Sequence, residues 1–352
     1  MGSAKQGLAG LIGDVMIEDR SVAQRRSGNE LFDKALTTLN ANIWSIINLE
    51  MPLSNRGYRV PKHSNLRSRP EIIEDVRALG ADAASLANNH LMDYGPDALR
   101  DTIEACAQAG ILTCGAGEDL DQAMAPVILR NDDVSVGLLS FASTLPVESD
   151  AGIGKPGIAP IRVGFSYEVD ANLTVEQPGT MPLVHTWANE EDVERAVDAI
   201  QQLKASVDIV IVALHWGVPP YWLTPHQGLL AEYQQPLGHA LIDAGADVIC
   251  GHHSHVLHPI EVYNHKPIFY SLGNFIFENP RGFMEPESLI VNIQPGNPFD
   301  IELVPIWVDD DGFPLLAEGT VADSVVSRLE EISAEFGTQF IRKGDRLQLS
   351  LT

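Results

Sequence analysis

The chain has 352 residues, 45% apolar and 20% charged, which allows one large or two modest domains with a sizeable core and excludes a disulfide-stapled module or a disordered segment. Lys and Arg total 23 against 48 Asp and Glu, for a net charge of −25, so most of the exterior repels nucleic-acid phosphates and anionic membranes. An anionic substrate stays compatible with this balance where basic residues gather, because charges beyond roughly 8–10 Å are screened.

Short apolar runs alternate with amphipathic stretches along the chain, which predicts an α/β fold. The opening run Leu8 to Ile17 is interrupted by Asp14 and is too short for a membrane span. Helices are expected at Pro70–Leu79, at Asp97–Ala109 and up to Ala244, each stopped by a C-capping glycine at Gly80, Gly110 and Gly245. Strands should resume at Ala83–Leu86, Ile111–Cys114 and Val248–Cys250. From Leu145 to Trp187 prolines and glycines break the periodicity, predicting an insertion with short strands of its own near Phe165–Val169. A lid and a plain surface excursion are both open readings of it. Strand patterns return at Ser288–Ile293 and Ile301–Val308, and a helix is expected near Val321–Phe336. The organisation expected is one domain over 8–320, with a C-terminal helix and tail over 321–352. Cys106, Cys114 and Cys250 are odd in number, lack metal-type spacing and sit in apolar patterns, so they read as reduced core thiols. With no membrane span, a cytoplasmic location is expected, although the Met1-Gly2-Ser3 start leaves an upstream signal or anchor open.

Residues with metal-binding chemistry repeatedly stand at the ends of apolar strand runs. Asp14 follows Leu11-Ile12-Gly13, Glu50 follows Ile46 to Leu49, and Asn88-Asn89-His90 follows Ala84 to Ala87. His215 ends the run from Ile209, and His252-His253-Ser254-His255 follows Val248 to Gly251. In open α/β sheets the carboxyl ends of parallel strands share one edge, so these segments should converge. His253 and His255 alternate, and alternate residues of an extended segment point the same way. Carboxylate, amide and imidazole donors together suit one or two divalent transition ions, Mn, Fe, Co or Zn, better than Ca²⁺.

The segments Gly13-Asp14-Val15-Met16, Asn48-Leu49-Glu50, Asn88-Asn89-His90-Leu91-Met92-Asp93-Tyr94-Gly95, Leu214-His215-Trp216-Gly217, Gly251-His252-His253-Ser254-His255 and Tyr270-Ser271-Leu272-Gly273-Asn274-Phe275 resemble the CapA-type poly-γ-glutamate capsule-synthesis proteins. That family belongs to the calcineurin-like metallophosphatase superfamily. The resemblance implies a four-layer α/β/β/α sandwich with a metal site between the sheets. It implies that Asp14 and His255 serve one metal, that Asn89 and His215 serve another with His253, and that Glu50 bridges. It places His90 in the outer sphere as a catalytic group; with Leu91 where the family's acid stands, Asp93 is the nearest candidate to orient it. Three departures stand out: Met16 replaces the superfamily's second motif-one ligand, Leu91 replaces the acid after His90, and Pro219 replaces a Glu that many CapA-like proteins carry.

Between Glu50 and Glu71 no acidic residue occurs, yet Arg56, Arg59, Lys62, Arg67 and Arg69 all do, while Arg20, Arg25 and Arg26 follow Asp14. In so acidic a chain this predicts either a cationic rim for a carboxylate- or phosphate-bearing substrate or loops that merely balance nearby acids. Tyr221, Trp222 and His226 are candidates to line the same pocket. The leading expectation is a metal-dependent hydrolase or amide-bond-processing enzyme acting on an anionic, γ-glutamyl peptide-like or phosphorylated substrate. The alternatives are a non-catalytic accessory protein of poly-γ-glutamate synthesis and a phosphoesterase of small-molecule or natural-product metabolism. Oligomeric state is left open.

Overall fold

The computed structural model describes residues 7–352 apart from 20, 220, 221, 223–228, 281, 297 and 298. It is a mixed α/β fold built on two main sheets. In the larger, the strand Gly7–Met16 lies between the parallel strand Asn42–Leu49 and the antiparallel strand Glu287–Pro295, and Ala83–Ser85 and Leu112–Cys114 continue it in parallel. In the smaller, Val248–His252 and Ser135–Ala142 flank Ile209–His215, all parallel.

Side-chain alternation explains how the sheets stack. Leu11 and Ile46 belong to one apolar cluster while their neighbours Ile12 and Ile47 belong to another, which also holds Phe32 and Leu36 of the helix Glu30–Leu39 and Leu99 of the helix Pro96–Gln108. Ile209, Ile211 and Ala213 share the cluster of Leu11 and Ile46. Val210, Val212 and Leu214 instead join the helices Glu190–Lys204 and Gln234–Asp243 through Ile200 and Leu241. Each sheet thus turns one face to the other sheet and one to helices, as period-two alternation requires.

The helix stops fall where the glycines predict. Gly80, Gly110 and Gly245 have φ of 88°, 79° and 119°, a region open to glycine at little cost. The first of these helices opens as a 3-10 turn over Pro70–Ile72 before the α-helix Ile73–Leu79. At Asn29 the side-chain oxygen accepts from the backbone N–H of Leu31 and of Phe32, capping the helix that follows.

The insertion carries the antiparallel hairpin Val163–Glu168 and Leu183–Ala188, joined through the short helix Ala171–Glu176. Beyond the helix Thr320–Ser333, the strands Phe340–Lys343 and Arg346–Leu349 form a hairpin that adds to the edge of the large sheet through Phe299–Val308. Cys106, Cys114 and Cys250 are free and buried. Among the described residues no helix is long and apolar enough to cross a membrane.

Candidate metal centre

The donors of the two sheets gather at the carboxyl ends of their parallel strands. Asp14 does not stand past its strand but inside it, at a register shift where the partner strand changes. Ala9 to Ile12 pair with Ile290 to Ile293, whereas Asp14 to Met16 pair in parallel with Asn274 to Phe277. Gly13 makes the change of partner feasible, since a Cβ there would lie 2.0 Å from the carbonyl oxygen of Gly273. The Asp14 N–H donates to that carbonyl at 3.0 Å.

Glu50 directly follows the strand Asn42–Leu49 and is fully buried. Asn88 builds the next turn: its amide donates to the Leu49 carbonyl at 2.8 Å, and its oxygen accepts from the N–H of His90 and of Leu91. That turn presents Asn89 and His90 to the cleft. His215 closes its strand, and Asn89 Oδ1 lies 2.8 Å from His215 Nε2.

His253 and His255 depart from the extended geometry that their alternation implies. Both have positive φ, 94° and 59°, in a left-handed region costly for a residue with a Cβ. The chain coils after His252, and the rings diverge to centroids 6.1 Å apart. His253 Nδ1 approaches His215 Nε2 at 3.1 Å, whereas His255 Nδ1 lies 3.4 Å from Asp14 Oδ2 and 2.9 Å from Asn274 Oδ1.

Two donor groups result, Asp14–Glu50–His255 and Glu50–His215–His253, with ligand-capable atoms within 4.8 Å of one another in each and Glu50 common to both. Asn89 extends the second group and Asn274 adjoins the first. Glu50 Oε1 lies 3.5 Å from His215 Nε2 and 3.8 Å from His255 Nε2. Neither Glu50 oxygen has a hydrogen-bonding partner among the described residues.

An orphaned buried carboxylate facing a second carboxylate and three imidazoles is unstable without a positive charge between them. The Glu50 carboxyl is pushed well above its usual range by burial and by the Asp14 charge, with Lys62 opposing. Burial and neighbouring imidazoles hold His215 and His253 well below the ordinary histidine range, which keeps them in the neutral form that ligates metals. The donor chemistry therefore fits one or two divalent transition ions.

His90 sits beside this cluster, with Nε2 4.0 Å from Glu50 Oε1 and Nδ1 2.7 Å from Asp93 Oδ2. Lys62 does not face outward as a rim cation. Its ammonium donates to Asp93 Oδ1 and to the Asn89 carbonyl, both at 2.5 Å, and lies 3.3 Å from His90 Nδ1. Burial lowers its pKa, against the pull of Asp93.

The other basic residues of that loop are engaged elsewhere. Arg56 pairs with Asp101 and Arg69 with Asp19. Arg59 donates to Asn65, and Arg67 lies over the Tyr94 ring at 4.1 Å. Arg25 and Arg26 pair with Asp309 and Asp33. Tyr221, His226 and Arg20 lie outside the described residues. A cavity of about 270 Å³ opens over Asn89, His90, His253 and His255, and Lys62, His63 and Trp222 help to line it.

Asn274 and the inward role of Lys62 escape a reading of local pattern. Asn274 does sit in the Tyr270–Phe275 segment, but its relation to Asp14 exists only through strand pairing.

Residues 10–279 match the family described as "Bacterial capsule synthesis protein PGA_cap". The capsule biosynthesis protein CapA of Bacillus anthracis is 26% identical over 97% of this chain and 77% of its own length. The PGA biosynthesis protein CapA of Bacillus subtilis (strain 168) is 30% identical over 77% of this chain, which spans 63% of that relative's length. A Mycobacterium tuberculosis relative named "Probable polyglutamine synthesis accessory protein" is 29% identical over 86% of this chain and 75% of its own. A hypothetical protein from Thermus thermophilus, of solved structure, aligns with 87% of this chain and 95% of its own at 15% identity, with a TM-score of 0.39. The match over residues 10–279 includes every donor described above, and the chain belongs to the bacterial capsule synthesis PGA_cap family, the CapA-type proteins.

Proposed function

We propose that the protein is a metal-dependent hydrolase or amide-bond-processing enzyme acting on an anionic substrate, γ-glutamyl peptide-like or phosphorylated. The observation that carries this reading is Glu50, a fully buried carboxylate without hydrogen-bonding partners among the described residues, set among Asp14, His215 and His255. Asp14, Glu50 and His255 would hold one divalent ion, and Glu50, Asn89, His215 and His253 a second. When bound, such ions supply Lewis acidity toward the bond attacked and ease deprotonation of water.

The chain's own groups supply the rest. His90 keeps Nδ1 against Asp93 and turns Nε2 toward the cluster. In this reading it donates a hydrogen bond or a proton to a departing oxygen or nitrogen; burial lowers its pKa, and Asp93 fixes the ring and opposes that shift. Lys62 ties Asp93 to the Asn89 carbonyl and so fixes acid and ligand together.

Metal analysis combined with turnover of p-nitrophenyl phosphate and γ-glutamyl-p-nitroanilide tests the reading. Asn89→Ala and His253→Ala should lose metal and turnover together. A second reading, a non-catalytic accessory of polymer synthesis, draws on the name of the mycobacterial relative. Stoichiometric metal in folded protein that turns over neither substrate would favour it. Turnover of the phosphoester alone would favour a small-molecule phosphoesterase.

A further inference from the structure

We infer that the substrate carries a planar aromatic or bulky apolar group next to the bond presented to the donor cluster. This deepens the hydrolase reading and rests on it for the position of that bond.

The walls of the 270 Å³ cavity carry the inference. The cavity is lined by Asn89, His90, His253 and His255 of the site and by Leu66, Pro146, Pro219, Phe277, Phe283 and Met284. The rings form a connected series. Trp222 and Phe283 have centroids 5.6 Å apart, Phe283 and His255 5.9 Å, and His255 and Phe277 4.8 Å. Phe277 is buried, but Trp222 is 55% exposed and Phe283 is half-buried. The series therefore runs from a proposed ligand toward solvent, its outer rings being the more exposed ones. A cleft lined by a polar set next to the donor cluster and by rings, prolines and aliphatic groups suits a ligand with a polar reacting end and an apolar body.

Charge argues the same way. A polyanionic chain needs positive partners along its length. Lys62 is the basic side chain, histidines aside, among the described residues that line the cavity, and its ammonium is committed to Asp93 and the Asn89 carbonyl. A second cavity of about 760 Å³ shares Lys62 and Pro146 with the first and adds Lys155, which is paired with Asp150. The anionic or carbonyl end would then meet the donor cluster, and the remainder would meet rings and prolines.

The test uses matched probe pairs that differ in the ring alone: phenyl phosphate against methyl phosphate, and γ-glutamyl anilide against γ-glutamyl methylamide. Binding to the Mn²⁺-loaded 352-residue chain is measured by calorimetry, so the result does not depend on turnover. In at least one pair the aromatic member should bind about tenfold tighter or more, the effect expected of burying one ring against others. Trp222→Ala, which alters a half-exposed side chain, and Phe283→Leu, which keeps the apolar volume, should each cut that preference by threefold or more, with metal content as the control for folding. Members binding within about threefold of each other in both pairs, no binding by any probe at millimolar concentration, or an unchanged preference in both variants would overturn the inference. Tight aromatic binding without turnover would sink the hydrolase reading and leave this one standing. Turnover without aromatic preference would do the reverse.

Discussion

The backbone N–H of His253 donates to Asp14 Oδ2 at 3.2 Å, joining a loop of the small sheet to a strand of the large one across 239 residues of sequence. His252 Nε2 lies 3.2 Å from the Ile12 carbonyl oxygen, two residues before Asp14, and repeats the connection. The donor cluster therefore also fastens the two sheets, and its occupancy should be felt in stability.

Saturating Mn²⁺ or Zn²⁺ should raise the thermal midpoint, by a stabilisation of about 2.7 kcal/mol at a hundredfold excess over Kd, and a chelator should reverse it. Glu50→Gln should abolish the ion-induced shift. It should also leave the metal-free protein no less stable, because it removes one of two buried, mutually repelling carboxyls. Differential scanning fluorimetry with and without ion checks both. A wild-type midpoint indifferent to every divalent transition ion would remove the metal centre.

Gly13→Ala places a Cβ against the Gly273 carbonyl. A cost of about 3 kcal/mol is expected from overpacking where backbone meets backbone, together with reduced metal stoichiometry, since Asp14 is the next residue. Gly28→Ala, where a Cβ meets nothing within 4 Å, is the matched control and should be neutral or slightly stabilising. Urea midpoints and metal content of the two variants decide it.

His258 is buried, neither ring nitrogen has a hydrogen-bonding partner among the described residues, and burial, with Arg328 adding, pushes its pKa down to about 3. The folded pKa lies below the unfolded value near 6.5, so this contribution is complete above that value and is lost as pH falls toward 3. Between pH 7 and pH 5 it amounts to about 2 kcal/mol. His258→Leu should flatten the acid side of the stability profile by about that amount, measured as the difference in urea-unfolding free energy at the two pH values.

Lys62→Met should lower kcat by about tenfold to a hundredfold, the range expected when a supporting group behind a site residue is removed, with metal content retained. Arg56→Ala and Arg69→Ala, whose partners are Asp101 and Asp19, should change kcat/KM by less than about threefold. Steady-state kinetics on any substrate turned over separates the two cases. Equal losses in all three variants would restore a cationic rim.

The strands that bear the donors were readable because alternation and glycine punctuation are local. Gly80, Gly110 and Gly245 mark helix ends from within a few residues, and the apolar runs before Glu50 and His215 mark buried parallel strands. The histidine pair shows where such reading stops. Spacing puts His253 and His255 on one side of an extended chain, but positive φ at both sends them to different donor groups, a backbone choice that packing between sheets imposes. Lys62 shows the same limit for charge, since a run of basic residues does not tell which one finds a buried carboxylate.

The order of residues by itself determined which side chains are available at the strand ends and that they must share an edge, because hydrophobic period and chain direction are properties of a single stretch. Tertiary structure alone decided that Asn274 lies beside Asp14, that Lys62 turns inward to Asp93, and that the hairpin at 340–349 completes the sheet of the first strand. Each of these is a contact between segments distant along the chain, settled by which surfaces bury each other best.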